Sequence, residues 1–205
     1  MSASGAENGA LTFSGVTMQH RTGSGISVVG PASLLVKDGS VFDTVGIAGN
    51  CPVGSTIVVN RAASVTLDHV QIGHSPNAAL CVRNTADQAT ITLAQTTLNA
   101  NLRGISSEIG SGSTALLVAD GLSLTNNSFG IAWEGLPSTR FDIANAAITG
   151  NTIGAQVASS GGTFKLRDSN VSNNSDAWVP VTLTGPTASG TGLNLSLPAN
   201  VAAKL

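Results

Sequence analysis

The chain has 205 residues, of which 41% are apolar, 10% charged and 3% aromatic, and its formal net charge is −2. That apolar share builds a packed core and excludes wholesale disorder. Lysines and arginines are scattered singly, so no basic footprint for nucleic acid or an anionic membrane exists, and no run of about 18 apolar residues is present to insert into a bilayer. Charge stands below half the usual share of about 25%. The Glu, Lys, Arg and Gln that line the wet face of helices are scarce, and Gly, Ser, Thr, Asn and Ala replace them. Short strands and frequent turns are predicted.

The opening segment, MSASGAENGA, has neither the basic start nor the apolar stretch of a secretory signal. Repeat-like sequence follows it directly, which reads as a piece of a longer protein. A unit of the form apolar-x-x-(small or apolar)-x-apolar then recurs along the chain. It is Phe13, Val16, Met18; Val36, Gly39, Val41; Leu67, Val70, Ile72; and Leu93, Thr96, Leu98. A unit with one extra residue follows, read as Val118 and Leu124, as a bulge would give. The pattern resumes as Ile143, Ala146, Ile148 and Leu166, Ser169, Val171. The openings are separated by 23, 31, 26, 25, 25 and 23 residues, the signature of a solenoid.

Three residues after Leu98, Leu124, Ile148 and Val171 stand Asn101, Asn127, Asn151 and Asn174. Asparagine tolerates the left-handed backbone of a tight turn. Stacked one strand spacing apart, asparagine side chains can also hydrogen-bond along their column. A small residue and another strand come next, as in Gly104-Ile105, Gly130-Ile131 and Gly154-Ala155. Each unit therefore reads as three short strands.

The same spelling serves the leucine-rich repeat. There a large leucine would fill the middle position, where this chain has Gly39, Thr96, Ala146 and Ser169, and a helix or extended segment would follow. Here SSGGT and GSGST are turn chemistry without a helical period. Strings such as LSLTNNSFGIAW, AAITGNTIGAQV and NVSNNSDAWV resemble the general repeat of the right-handed parallel β-helix, the pectate-lyase-like superfamily, over roughly Gly9 to Val179. The expected fold is all-β: a right-handed parallel β-helix solenoid of about seven coils over residues 1–179. Residues 180–205 form a C-terminal strand and cap of the same domain, with Leu193, Leu195 and Leu197 covering the last coil. Phe13, Val36, Leu67, Leu93, Val118, Ile143 and Leu166 make one interior column.

Cys51 and Cys81 fall at nearly the same station of consecutive coils. Strands about 4.8 Å apart lie within disulfide reach, so this pair is either a bridge or two stacked buried thiols. The spacing of 31 leaves extra residues in the stretch 50–63. They form either a functional loop or, through Thr56-Ile57-Val58-Val59, a short added strand.

The sharpest enzymatic hint is a carboxylate pair. Glu108 follows Ile105 by three residues and Glu134 follows Ile131 by three, so coils in register stack both as catalytic candidates about 5 Å apart. Arg83 holds the same station one coil earlier, and Trp133 offers a stacking face for a sugar ring; both are candidate ligand-binding residues. Asp38, His69, Gln95, Asp120, Asn145 and Asp168 form a polar column that reads as corner structure. Asp68 and His69 are neighbours in a strand and are expected on opposite faces. His20, His69 and His74 read as ordinary polar positions. No metal-ligand spacing appears, and no metal or cofactor is expected.

The resemblance implies, for enzymes of the superfamily, an acidic calcium cluster with a basic proton acceptor, or paired aspartates with a downstream His-Gly and a basic triplet. This chain has no such motif, so no catalytic residue transfers. The expected function is a non-catalytic β-helix module of a secreted or cell-surface protein: an adhesin, a stalk or a carbohydrate-binding face. The alternative is a polysaccharide lyase or glycoside hydrolase. Polysaccharide is the expected partner, nucleic acid and membrane insertion are not, and the chain stands as a monomer or associates end to end.

Overall fold

A computed structural model describes residues 2–4, 9–83, 87–108, 113–135, 138–159, 163–178, 187–191 and 194–195. Among them there is no helix, and the strands form three parallel sheets of eight. Each coil contributes one strand to each sheet: an opening strand such as Ala89–Ala94, a middle strand such as Thr97–Asn99, and a closing strand such as Arg103–Ser107. From Ala10 to Trp178 the strands fall into seven such triplets. Ser2–Ser4 adds a closing strand before them, and Thr187–Thr191 and Asn194–Leu195 continue the opening and middle sheets beyond. The structure is a parallel β-solenoid. The covering role expected of Leu193 and Leu197 lies outside the described residues.

The core is a set of columns, because side chains alternate across each strand and coils stack in register. In the opening sheet, Leu34, Val65, Ile91, Leu117, Phe141 and Phe164 are register partners, and so are Val36, Leu67, Leu93, Ala119, Ile143 and Leu166. All of them are buried. Burial of each large aliphatic chain contributes at most about 1.5–3 kcal/mol.

Two units differ from their sequence reading. Ala119, not Val118, pairs with Leu93 and Ile143, while Val118 points outward and is 43% exposed. Size suggested the valine; strand parity selects the alanine, and the coil needs no bulge. The extra residue sits instead in the second coil. There Met18 pairs with Phe42 rather than Val41, and consecutive left-handed residues, Asp38 at φ 59° and Gly39 at φ 71°, absorb it. With that shift, the first corner reads Gly15, Asp38, His69, Gln95, Gly121, Asn145 and Asp168, all at positive φ.

The second corner carries the asparagine column. Its left-handed position is one residue earlier than expected, at Thr44, His74, Ala100, Asn126, Gly150 and Asn173. The asparagines that follow are buried and bond in a continuous ladder. The Asn101 backbone N–H and Nδ2 both donate to Asn127 Oδ1, at 2.9 and 3.1 Å. Asn127 repeats this to Asn151, and Asn151 to Asn174. Each Nδ2 also donates to a carbonyl of the coil below, as Asn127 does to Leu98 at 3.0 Å. Buried amides are thereby fully used, which makes this corner rigid. Gly104, Gly130 and Gly154 come next because a Cβ on Gly104 would meet the Gly130 carbonyl oxygen, and one on Gly130 that of Gly154.

Candidate functional site

The second coil departs from the pattern between its middle strand, Val41–Val45, and its closing strand, Ile57–Asn60. The sequence leaves a functional loop or a short added strand as the alternatives here. Ile57–Asn60 is instead the regular closing strand, paired with Ile26–Val29 and Ala78–Arg83. The extra residues are a loop over 46–55. Ile47 N–H donates to the Gly54 carbonyl at 3.1 Å and closes its neck. Thr56 Oγ1 donates to the Val45 carbonyl at 2.9 Å, and Asn77 Nδ2 donates to the Val53 carbonyl.

This loop lies against the outer face of the closing sheet. Cys51 and Cys81 form a disulfide with Cα atoms 5.7 Å apart. They do not share a station. Cys81 has Val58 and Ser106 as its register partners, and Cys51 reaches it from the loop. Cys51, Ala78 and Cys81 make a small apolar cluster separate from the main core. Ile47 and Val53, 40% and 62% exposed, stand on this loop.

Beside the loop, the closing sheet carries the residues singled out from sequence. Arg83 ends the strand Ala78–Arg83, and Glu108 follows Arg103–Ser107 in the next coil. Arg83 Nε donates to Glu108 Oε2 at 3.0 Å, both side chains being partly exposed. Glu134 is exposed on the following strand, Phe129–Gly135, and its backbone N–H donates to Ser107 Oγ at 2.7 Å. Register continues through Leu80, Ile105 and Ile131, so Arg83, Glu108 and Glu134 follow one another along one edge of the outer face.

Trp133 does not join them. Its side chain is only 1% exposed and packs edge-on against Phe141, ring centroids 5.0 Å apart. Two residues beyond buried Ile131, it shares the inward parity, so no sugar ring can stack on it. Its Nε1 has no hydrogen-bond partner among the described atoms.

The structure adds residues that the sequence reading passed over. Arg103 pairs in register with Ala78 and Phe129. Its Nη1 donates to Asn77 Oδ1 at 3.2 Å, and its guanidinium carbon stands 5.9 Å from the Phe129 ring centroid. Burial lowers the Arg103 pKa from its ordinary value. Half-buried Phe129, Ala132, Ile153 and Gln156 continue this face. Five residues separate Arg103 from Glu108, about 16 Å along an extended strand. The face therefore offers an arginine on an aromatic ring at one edge and an arginine–glutamate pair at the other. The available signal was register, not alternation: Phe129 and Arg103 share a station immediately before the corner glycines, where two consecutive residues such as Ala79 and Leu80 both join the core.

The histidines bond to acids. His74 Nδ1 lies 2.7 Å from Asp43 Oδ1 of the preceding coil, and His69 Nδ1 lies 2.6 Å from Asp68 Oδ1. The second contact overturns the expectation that these neighbours face apart: His69 is left-handed, φ 54°, and the strand alternation ends there. Among the described residues, no three His, Cys, Asp or Glu side chains cluster as a metal ion requires. No family model, no curated protein and no solved structure matches the chain.

Proposed function

We propose that this protein is a non-catalytic module of the right-handed, pectate-lyase-like β-helix type, whose closing sheet is a glycan-binding face. The right hand is the one that parallel strands joined by a crossover almost always take. The observation that carries the reading is the Arg83–Glu108 pair at 3.0 Å on the same outer face as Arg103 and Phe129. Paired donors and acceptors beside an aromatic and aliphatic surface are what a sugar's hydroxyls and apolar ring face require. Commitment of Glu108 to Arg83 favours a positioning role over general acid work. The disulfide supports a secreted or cell-surface setting, where such bonds persist.

The alternative, a polysaccharide lyase or hydrolase, draws on Glu108 and Glu134 following one another along the face. A panel of neutral and acidic polysaccharides, scored for both retention and released sugar, separates the two. Retention without release is expected. Release that disappears in Glu108→Gln and Glu134→Gln makes the protein an enzyme, and neither retention nor release removes the glycan reading.

A further inference from the structure

Among the six arginines of the chain, Arg103 alone is half-buried; the others are exposed. No carboxylate of the described residues lies within ion-pair distance of it, whereas Arg83 and Arg167 each have one. A partly desolvated cation without a counter-charge is costly unless something supplies one. The cation is nevertheless held in place. Fully buried Asn77 accepts from Nη1 through Oδ1 and donates through Nδ2 to Val53 of the loop that the disulfide pins. Phe129 lies beneath the guanidinium. Nε and Nη2 have no partner among the described residues, and together they form the fork that grips two oxygens of one anion. The lowered pKa of this group expresses the same burial.

We propose that Arg103 anchors an anion subsite, which takes a carboxylate or sulfate substituent of the glycan, with Phe129 and Val53 against the apolar face of the same sugar. This rests on the glycan-binding reading and gives it a charge preference. The disulfide-pinned loop becomes the wall of the subsite: through Val53 and Asn77 it sets where the guanidinium stands.

The test compares binding of the full chain to dextran, dextran sulfate and hyaluronan, for the wild type, Arg103→Gln, Arg103→Lys and Arg140→Gln. Arg140 is an exposed arginine on the opening sheet and serves as the control. At least one charged glycan is expected to bind about tenfold or more tightly than dextran. Arg103→Gln removes that margin, Arg103→Lys restores only part of it, and Arg140→Gln leaves it intact. On the wild type, where folding of a variant is not at issue, free glucuronate or inorganic sulfate competes and glucose does not, and the one that competes identifies the substituent. Equal losses in Arg103→Gln and Arg140→Gln, or competition by neither anion, overturn the subsite. Retention of dextran without a charge preference sinks the subsite and leaves the glycan-binding face standing. Retention of none of the three sinks both.

Discussion

One corner of the solenoid is built in two ways. In the later coils it is Asn101, Asn127, Asn151 and Asn174, each spending its amide on its neighbours. In the earlier coils the equivalent positions are Arg21, Val45 and Ser75. There the ladder ends, with the Ser75 N–H donating to Asn101 Oδ1 at 2.9 Å. Where it ends, the loop over 46–55 leaves the coil, and a disulfide and the Asn77 amide hold it. A corner satisfied by its own repeat needs no outside partner. One without that repeat is free to carry an excursion, and the candidate site lies beside it. Regularity supplies the scaffold, and its interruption supplies the wall of the site.

The largest effect should come from the ladder. Asn127→Leu keeps the branching but orphans the Asn101 N–H, takes one of the two bonds of Asn101 Nδ2 and removes the donor to the Leu98 carbonyl. Destabilisation of about 4 kcal/mol is expected in urea unfolding, since each buried unsatisfied group costs about 1–3 kcal/mol. A loss below about 1 kcal/mol would mean that the two corners are equally dispensable. Next comes the staple. Cys51→Ser with Cys81→Ser removes a link across a sequence separation of 30, for which chain entropy gives about 3–4 kcal/mol. Hydrogen exchange should show protection lost around Val53 and Asn77 while the ladder amides keep theirs. Loss spread evenly over both corners would erase the distinction drawn between them.

Smaller effects belong to the surface. A double-mutant cycle on Arg83→Gln and Glu108→Gln should give a coupling of about 0.5 kcal/mol, because the partners are 52% and 26% exposed and solvent screens them. Glycan retention should fall far more than stability does, and the reverse ratio would make the pair structural. The smallest signal is at Asp38, whose pKa lies below the ordinary aspartate value through the Ser14 hydroxyl first and then Lys37. A depressed carboxyl contributes stability above its unfolded pKa and loses it as pH falls through the folded one. Carboxyl NMR titration should therefore show Ser14→Ala moving Asp38 upward, with the small stability loss present at neutral pH and absent below the folded pKa.

Much of the site was within reach of station counting. Arg83 and Glu108 meet because each follows a buried register partner, Leu80 and Ile105, by three residues. Trp133 was within reach too: its parity with Ile131 places it inside, and aromatic chemistry argued against that parity only in appearance. Val118 and Ala119 teach the same lesson, since a column admits an alanine between Leu93 and Ile143 when the alternation demands it. Arg103 escaped because its significance lies in what holds it. Asn77 stands where the later coils have Leu102 and Ser128, but the loop at Val53 has no counterpart in them, and no period points to their meeting.

The amino-acid sequence by itself determined the period, the three parallel sheets, the interior columns and the asparagine ladder. These contacts join residues that are equivalent from coil to coil, so a repeating pattern writes each of them many times over. Only the tertiary structure decided that Cys51 meets Cys81 from a loop rather than from a strand. It alone showed that Ile57–Asn60 is a regular closing strand, and that one arginine stands half-buried on Phe129 with no carboxylate of the described residues beside it. Those contacts occur once, between segments of unlike spacing. A single contact leaves no period to read, and only the folded chain brings its partners together.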